Sequence, residues 1–131
     1  MNPSVDRPLP HSPEAERAFL GGLILAGGKA PNLDPNDFHL PFHQNLYRSI
    51  QRLKQDEKPI DLVLLHDRLS PGEIDNAGGI RYLASLINGI PKAANLASYA
   101  EIIKTKAAVR QRLALCCRMA DRLAAANGDA A

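Results

Sequence analysis

The sequence predicts an all-α fold, a compact orthogonal array of short helices packed on the root of one long C-terminal helix. Three observations predict it. Apolar residues recur at three- and four-residue intervals, and no segment alternates with the period of two that a half-buried strand requires. Proline and glycine cut the first part of the chain into short pieces. From Asn95 to Ala126 neither residue occurs, and the stretch is rich in Ala, Leu, Arg and Lys, all strong helix formers.

Residues 1–11 carry Pro3, Pro8 and Pro10 and show no periodicity, so they read as a flexible arm. Ser12 then caps a helix, and Pro13 occupies the first helical position, where its missing N–H is harmless. Glu14 and Glu16 suit the positive end of the helix dipole, and solvation with capping accounts for both. Ala15, Phe19, Leu20, Leu23 and Ile24 form the inward face. Gly21-Gly22 costs roughly 1 kcal/mol per glycine relative to Ala, which close approach of another helix would offset. Gly27-Gly28 ends the element.

Asp34 as cap, followed by Pro35, opens a short turn of helix that sets Phe38 inward. Leu46, Tyr47, Ile50 and Leu53 mark the next amphipathic helix, which ends before Pro59 and keeps Arg48, Arg52 and Gln55 outside. Ile60 to Leu65 could be strand or helix on length alone. Asp61 as N-cap, with Ile60 and Leu65 as a hydrophobic staple, favours a helix that closes at Leu69 before the turn Ser70-Pro71-Gly72. Gly78-Gly79 introduces a helix with Tyr82, Leu83, Leu86 and Ile87 inside, ended by Asn88-Gly89-Ile90-Pro91. Residues 12–94 thus form a helical head. Its predicted single core contains Leu20, Leu23, Leu46, Ile50, Leu65, Leu83, Leu86, Tyr99 and Ile103.

The long helix, 95–126, begins with Asn95 as N-cap and is expected to stop at Asn127-Gly128, leaving 127–131 as a turn or tail. Such a helix is about 47 Å long, whereas a head of this size measures roughly 32 Å across. Its early part, through Tyr99, Ile102 and Ile103, is expected to lie under the head. Its later part projects, and a heptad stripe along it is left uncovered. Val109, Leu113, Cys116, Cys117, Ala120 and Leu123 are the candidate self-association residues. Lys104, Lys106, Arg110, Arg112, Arg118 and Arg122 crowd the same helix, opposed by Glu101 and Asp121. A solvated face is the favoured reading, and weak contact with DNA phosphates or an acidic partner is the alternative.

Composition bounds the rest. With 131 residues there is room for one core, and 23% charged residues with 45% hydrophobic residues exclude a mainly disordered chain. A net charge of +2 does not by itself argue for a nucleic-acid partner. The N-terminus has no signal-peptide apolar region, and the run Phe19 to Ala26 is too short to span a bilayer, so a cytoplasmic protein without membrane association is expected. Cys116 and Cys117 are adjacent, with Cα atoms about 3.8 Å apart against a usual minimum of about 4.4 Å for a disulfide. They read as small helix-packing thiols.

No catalytic set emerges. Gly28-Lys29 approaches a phosphate-binding loop, but Leu23 stands where the leading glycine belongs and Ala30 where a Ser or Thr would hold magnesium. His39 and His43 are four residues apart with Pro41 between them and no third ligand close in sequence, so no metal site is expected. Asp56 and Glu57 are explained as solvated helix-end carboxylates. The chain is therefore read as non-enzymatic, without cofactor or metal.

Seven blocks occur in order along residues 10–125. They are Pro10-His11-Ser12 with Glu14-Ala15-Glu16; Leu20-Gly21-Gly22-Leu23; Pro35 with Asp37-Phe38; His43 with Leu46-Tyr47 and Ile50; Pro59-Ile60-Asp61-Leu62-Val63; Gly78-Gly79 with Tyr82-Leu83; and Pro91 with Ala94-Asn95 and Tyr99-Ala100-Glu101-Ile102. In this the chain resembles the N-terminal domain of the DnaB-type bacterial replicative DNA helicases. The resemblance implies a collar domain, a trimer of dimers joined through a helical hairpin, that assembles hexameric rings, docks primase and is acted on by helicase loaders. ATP and magnesium belong to the family's RecA-like motor, which is absent here, as is the second hairpin helix. The long helix is similar to the first helix of that hairpin. The turn Ser70 to Asn76 is slightly shorter than usual in the family.

Two other classes stay open: a stand-alone adaptor or loader-type regulator that binds a helicase ring, and a small helical DNA-binding protein. Coding sequence running on into a P-loop motor would exclude the first. A steep loss of DNA affinity with salt would mark the second.

Overall fold

Five α-helices and one 3-10 turn make up the described residues of the computed structural model, which are 9–69, 79–88 and 95–130. Helix α1 spans Pro13–Leu25, the 3-10 turn Pro35–Asp37, α2 Pro41–Gln55, α3 Leu62–Arg68, α4 Gly79–Asn88 and α5 Leu96–Ala130. The architecture is all-helical, as the periodicity predicts. The turns expected at Ser70-Pro71-Gly72 and Gly89-Ile90-Pro91, and residues 1–8 of the arm, lie outside the described residues.

Local chemistry sets the helix starts. Ser12 accepts the Ala15 N–H at 3.2 Å, with Pro13 in the first turn. Asp34 and Asp37 form a reciprocal capping box around the 3-10 turn, which places Phe38 in the core. Asp61 accepts the N–H groups of Val63 and Leu64 at 2.6 and 3.4 Å, so the ambiguous apolar run is helix. Asn95 caps α5 through the Ser98 N–H at 3.2 Å.

Two helices end in the same left-handed turn. After α1, Gly28 N–H reaches Leu23 O at 2.9 Å and Gly27 N–H reaches Ile24 O at 3.1 Å, with Gly27 at φ 65°. After α2, Lys58 N–H reaches Leu53 O at 2.9 Å and Glu57 N–H reaches Lys54 O at 3.1 Å. Here the left-handed position is held by Glu57 at φ 56°, a conformation that disfavours any residue with a Cβ.

The core forms where α1 packs on the first turns of α5, on α4 and on α2, with α3 set between α2 and α4. Phe19, Phe38 and Tyr47 cluster with ring centroids 5.1–6.3 Å apart, and the Tyr47 hydroxyl accepts the Leu33 N–H at 3.0 Å. Leu20, Leu23, Leu46, Ile50, Leu65, Leu83, Leu86 and Ile103 are buried, and Tyr99 packs half-buried against them. Gly21 and Gly22 are buried as well, on the helix whose most extensive packing is against α5. Two small residues there allow close approach of backbones.

The long helix departs from expectation twice. It continues through Asn127 and Gly128 to Ala130, four residues past the predicted stop at Ala126. A glycine costs only about 1 kcal/mol in a helix, and adding a residue to an existing helix is far easier than starting one. The second departure is register. Ala100, Ile103 and Ala107 are buried against the head, whereas Ile102 is 41% exposed. Alanines let α5 lie close on α1, and that turns Ile102 outward.

Candidate interaction surface

A buried polar knot fixes the head on which the long helix stands. Glu16, expected at the surface, is only 2% exposed, and His43 is buried beside it. The Glu16 carboxylate takes His43 Nδ1 at 2.8 Å, the His39 N–H at 2.9 Å and the Leu40 N–H at 3.5 Å. Burial pushes the Glu16 carboxyl up, but the His43 hydrogen bond and charge and the two backbone N–H groups together hold it below its ordinary 4.5. A carboxylate at this position requires His43 Nδ1 to carry a proton, and Nε2 meets the Tyr82 hydroxyl. Burial, as the leading cause, raises the Tyr82 phenol above its ordinary value, so the hydroxyl stays protonated. The knot ties α1, the entry to α2, α2 itself and α4. Solvation explains Glu14, which is exposed, but not Glu16.

Arg110 pins the root of α5. Its guanidinium donates to the Pro10 carbonyl at 2.8 Å and the Asp37 carbonyl at 2.7 Å. Arg110, one of the candidate phosphate contacts, is half-buried with its guanidinium on backbone carbonyls. Residues 9–11, at the end of the expected arm, lie against the body.

Beyond Ala107 no described residue of α5 is buried. The helix runs 23 residues farther, about 34 Å, counting from Ala107 to its end at Ala130. At about 100° per residue, Val109, Leu113, Cys116, Ala120 and Leu123 fall within an arc of about 80°, nearly opposite the head-facing side. Val109, Leu113 and Cys117 are half-buried, while Cys116, Ala120 and Leu123 are exposed. Ile102 joins the stripe at its root. Leu115 and Met119, 51% and 55% exposed, widen it on one side. The sequence reading missed these two because they fall off a strict heptad. Their four-residue spacing, continued to Leu123, was the available signal.

The basic residues do not gather on one face. Lys104, Arg118 and Arg122 are exposed on the side away from the stripe, while Lys106 and Arg112 flank it. Gly28-Lys29 forms the C-terminal cap of α1, with the Gly28 N–H engaged at Leu23 O. That is the negative end of a helix, which repels phosphate. Both ring nitrogens of His43 are occupied within the knot. Among the described residues no helix is long and apolar enough to cross a membrane.

A small helical head thus carries a long helix whose apolar stripe is exposed where it outruns the core. Residues 8–105 match the DnaB-like helicase N terminal domain family, and the chain belongs to that family. It is 36% identical over 125 residues to the replicative DNA helicase DnaB of Haemophilus influenzae, covering 92% of this chain and 27% of that protein. It is 34% identical over 111 residues to the replicative DNA helicase DnaC of Bacillus subtilis, covering 81% of this chain and 24% of that protein. The chain thus spans about a quarter of the length of these relatives. The crystal structure of the N-terminal domain of DnaB helicase from Mycobacterium tuberculosis superposes with a TM-score of 0.79 at 32% identity, covering 92% of this chain and 89% of that one.

Proposed function

We propose that this chain is the non-catalytic collar domain of a cytoplasmic replicative DNA helicase. In this reading it pairs subunits, supports assembly of a hexameric ring and docks primase, with a helicase loader as a further partner. ATP, magnesium and unwinding belong to a separate motor domain. The observation that carries the reading is the helix surface of Leu115, Met119 and Leu123, exposed on a helix that continues past its own core. Apolar surface of this kind marks an interface.

A second copy of the same helix would cover it. Lys106 and Arg112 flank the stripe and would repel their counterparts across a parallel pair, so the pair runs antiparallel. Cys116 is the midpoint of the stripe from Val109 to Leu123, so an antiparallel pair brings the two Cys116 side chains together. Short bismaleimide cross-linking should therefore give a covalent dimer that Cys116→Ser abolishes and Leu123→Asp depletes. A cross-linked species unaffected by either substitution, or none at all, would overturn the pairing. Primase from the same organism should be retained by the immobilised chain, and absence of retention would remove the docking role.

A further inference from the structure

The lead into α1 is strapped across the outer edge of the head. The His11 ring lies on the His39 ring with centroids 4.3 Å apart. His11 Nδ1 lies 2.6 Å from the Leu9 carbonyl, which can only accept, so that nitrogen carries the proton. Arg110 joins this lead to the 3-10 turn through the Pro10 and Asp37 carbonyls. Leu9 borders a depression of about 270 Å³ whose other walls include Phe38, His39, Ala107, Arg110 and Ala114.

Three basic groups meet at this contact: His11 on the lead, His39 before α2 and Arg110 on α5. The acidic groups nearby are already engaged. Glu16 on α1 binds the His39 N–H and faces His43 on α2, and the Asp37 carboxylate accepts the Asp34 N–H at 3.0 Å.

We infer that residues 9–11 form a proton-released latch: neutral His11 and His39 rings let the lead lie against the 3-10 turn and α5, and protonating both beside Arg110 drives it off. Release opens the depression next to the root of the projecting helix and takes one of Arg110's two carbonyl partners away. Burial, then the His11 and Arg110 charges, hold His39 below its ordinary 6.5, with Glu16 opposing. The His11 charge leaves His39 when the lead departs, so the docked lead binds fewer protons than the released one, and docking weakens as the pH falls towards the lowered His39 value. Glu16 stays ionised through that window, because its own carboxyl sits below 4.5.

Backbone amide heteronuclear NOEs of Leu9 and His11, recorded between about pH 7.5 and about pH 5.5 on either side of the ordinary histidine value, test the latch. At the upper end they should match the amides of α1. At the lower end they should fall to the values of a mobile tail, in step with the His39 ring signals, while the amides of Ala100 to Ala107 hold. His11→Gln and His39→Gln should each keep the lead docked at low pH, and Arg110→Gln should release it throughout. PH-independent strap amides in the unsubstituted chain, or an undiminished transition in the His11→Gln/His39→Gln double variant, would overturn the inference. If circular dichroism shows His39→Gln to be unfolded, His11→Gln alone decides.

Discussion

Glu16→Ala is the sharpest probe of how the head is held together. The substitution removes the single acceptor for His43 Nδ1–H, the His39 N–H and the Leu40 N–H. A buried donor left unmade costs about 1–3 kcal/mol. The Leu40 contact at 3.5 Å is the weakest of the three, so the total should be about 3–5 kcal/mol. That is a large share of the roughly 5–15 kcal/mol by which a domain is usually stable. Glu14, two residues earlier and exposed, loses only its interaction with the helix dipole on truncation, about 0.3–1 kcal/mol. Urea unfolding followed by far-UV circular dichroism at neutral pH compares the two variants directly. The acid limb gives a second check. The folded Glu16 carboxyl lies below its ordinary 4.5, so its contribution is complete above that pH and disappears as pH falls through the lowered folded value. Glu16→Ala should lack that part of the acid-induced loss. Equal stability of the two variants within about 0.5 kcal/mol, or superimposable acid limbs for Glu16→Ala and the unsubstituted chain, would refute the reasoning.

Leu83 is fully buried, and Leu83→Ala should cost about 2–5 kcal/mol by the same unfolding assay. Glu57→Gly relieves a left-handed residue and should raise stability by about 0.5–1 kcal/mol, the left-handed penalty less the added freedom of the unfolded chain; a loss would show that the Glu57 side chain contributes something of its own. Calorimetry should detect no saturable ATP binding that Lys29→Ala abolishes, because Gly28-Lys29 caps the C-terminal end of a helix.

What was legible in the sequence was local. Ser12, Asp34, Asp61 and Asn95 each bond to an amide two or three residues away, and all four caps form as read. Residues whose meaning depends on distant partners were not legible. Glu16 looks like any first-turn acid until His39 and His43, 23 and 27 residues later, fold onto it. Arg110 looks like one basic residue among six until Pro10, 100 residues earlier, meets it. The seating of α5 was misread because large apolar residues were weighted over alanine. Close packing selects Ala100 and Ala107, and so leaves Ile102 outside. The turn after α2 gave no signal because Glu57 stands where a glycine would have announced it.

The central claim is that the projecting part of α5 is an interface awaiting a second copy. Fully burying a Leu or Met side chain is worth about 1.5–3 kcal/mol, and Leu115, Met119 and Leu123 are between half and two-thirds exposed. Covering what remains gives about 1 kcal/mol each, hence about 6 kcal/mol for two copies, with smaller additions from Val109, Leu113 and Cys116. Association itself costs about 4–15 kcal/mol. The balance predicts a weak pair, not a tight one. Sedimentation equilibrium over a hundredfold range of concentration measures it. The mean mass should rise from monomer towards dimer, and Leu113→Asp or Leu123→Asp should hold it at monomer, because each would bury an unpaired carboxylate. A strict monomer throughout, with both variants indistinguishable from the parent chain, would contradict the account.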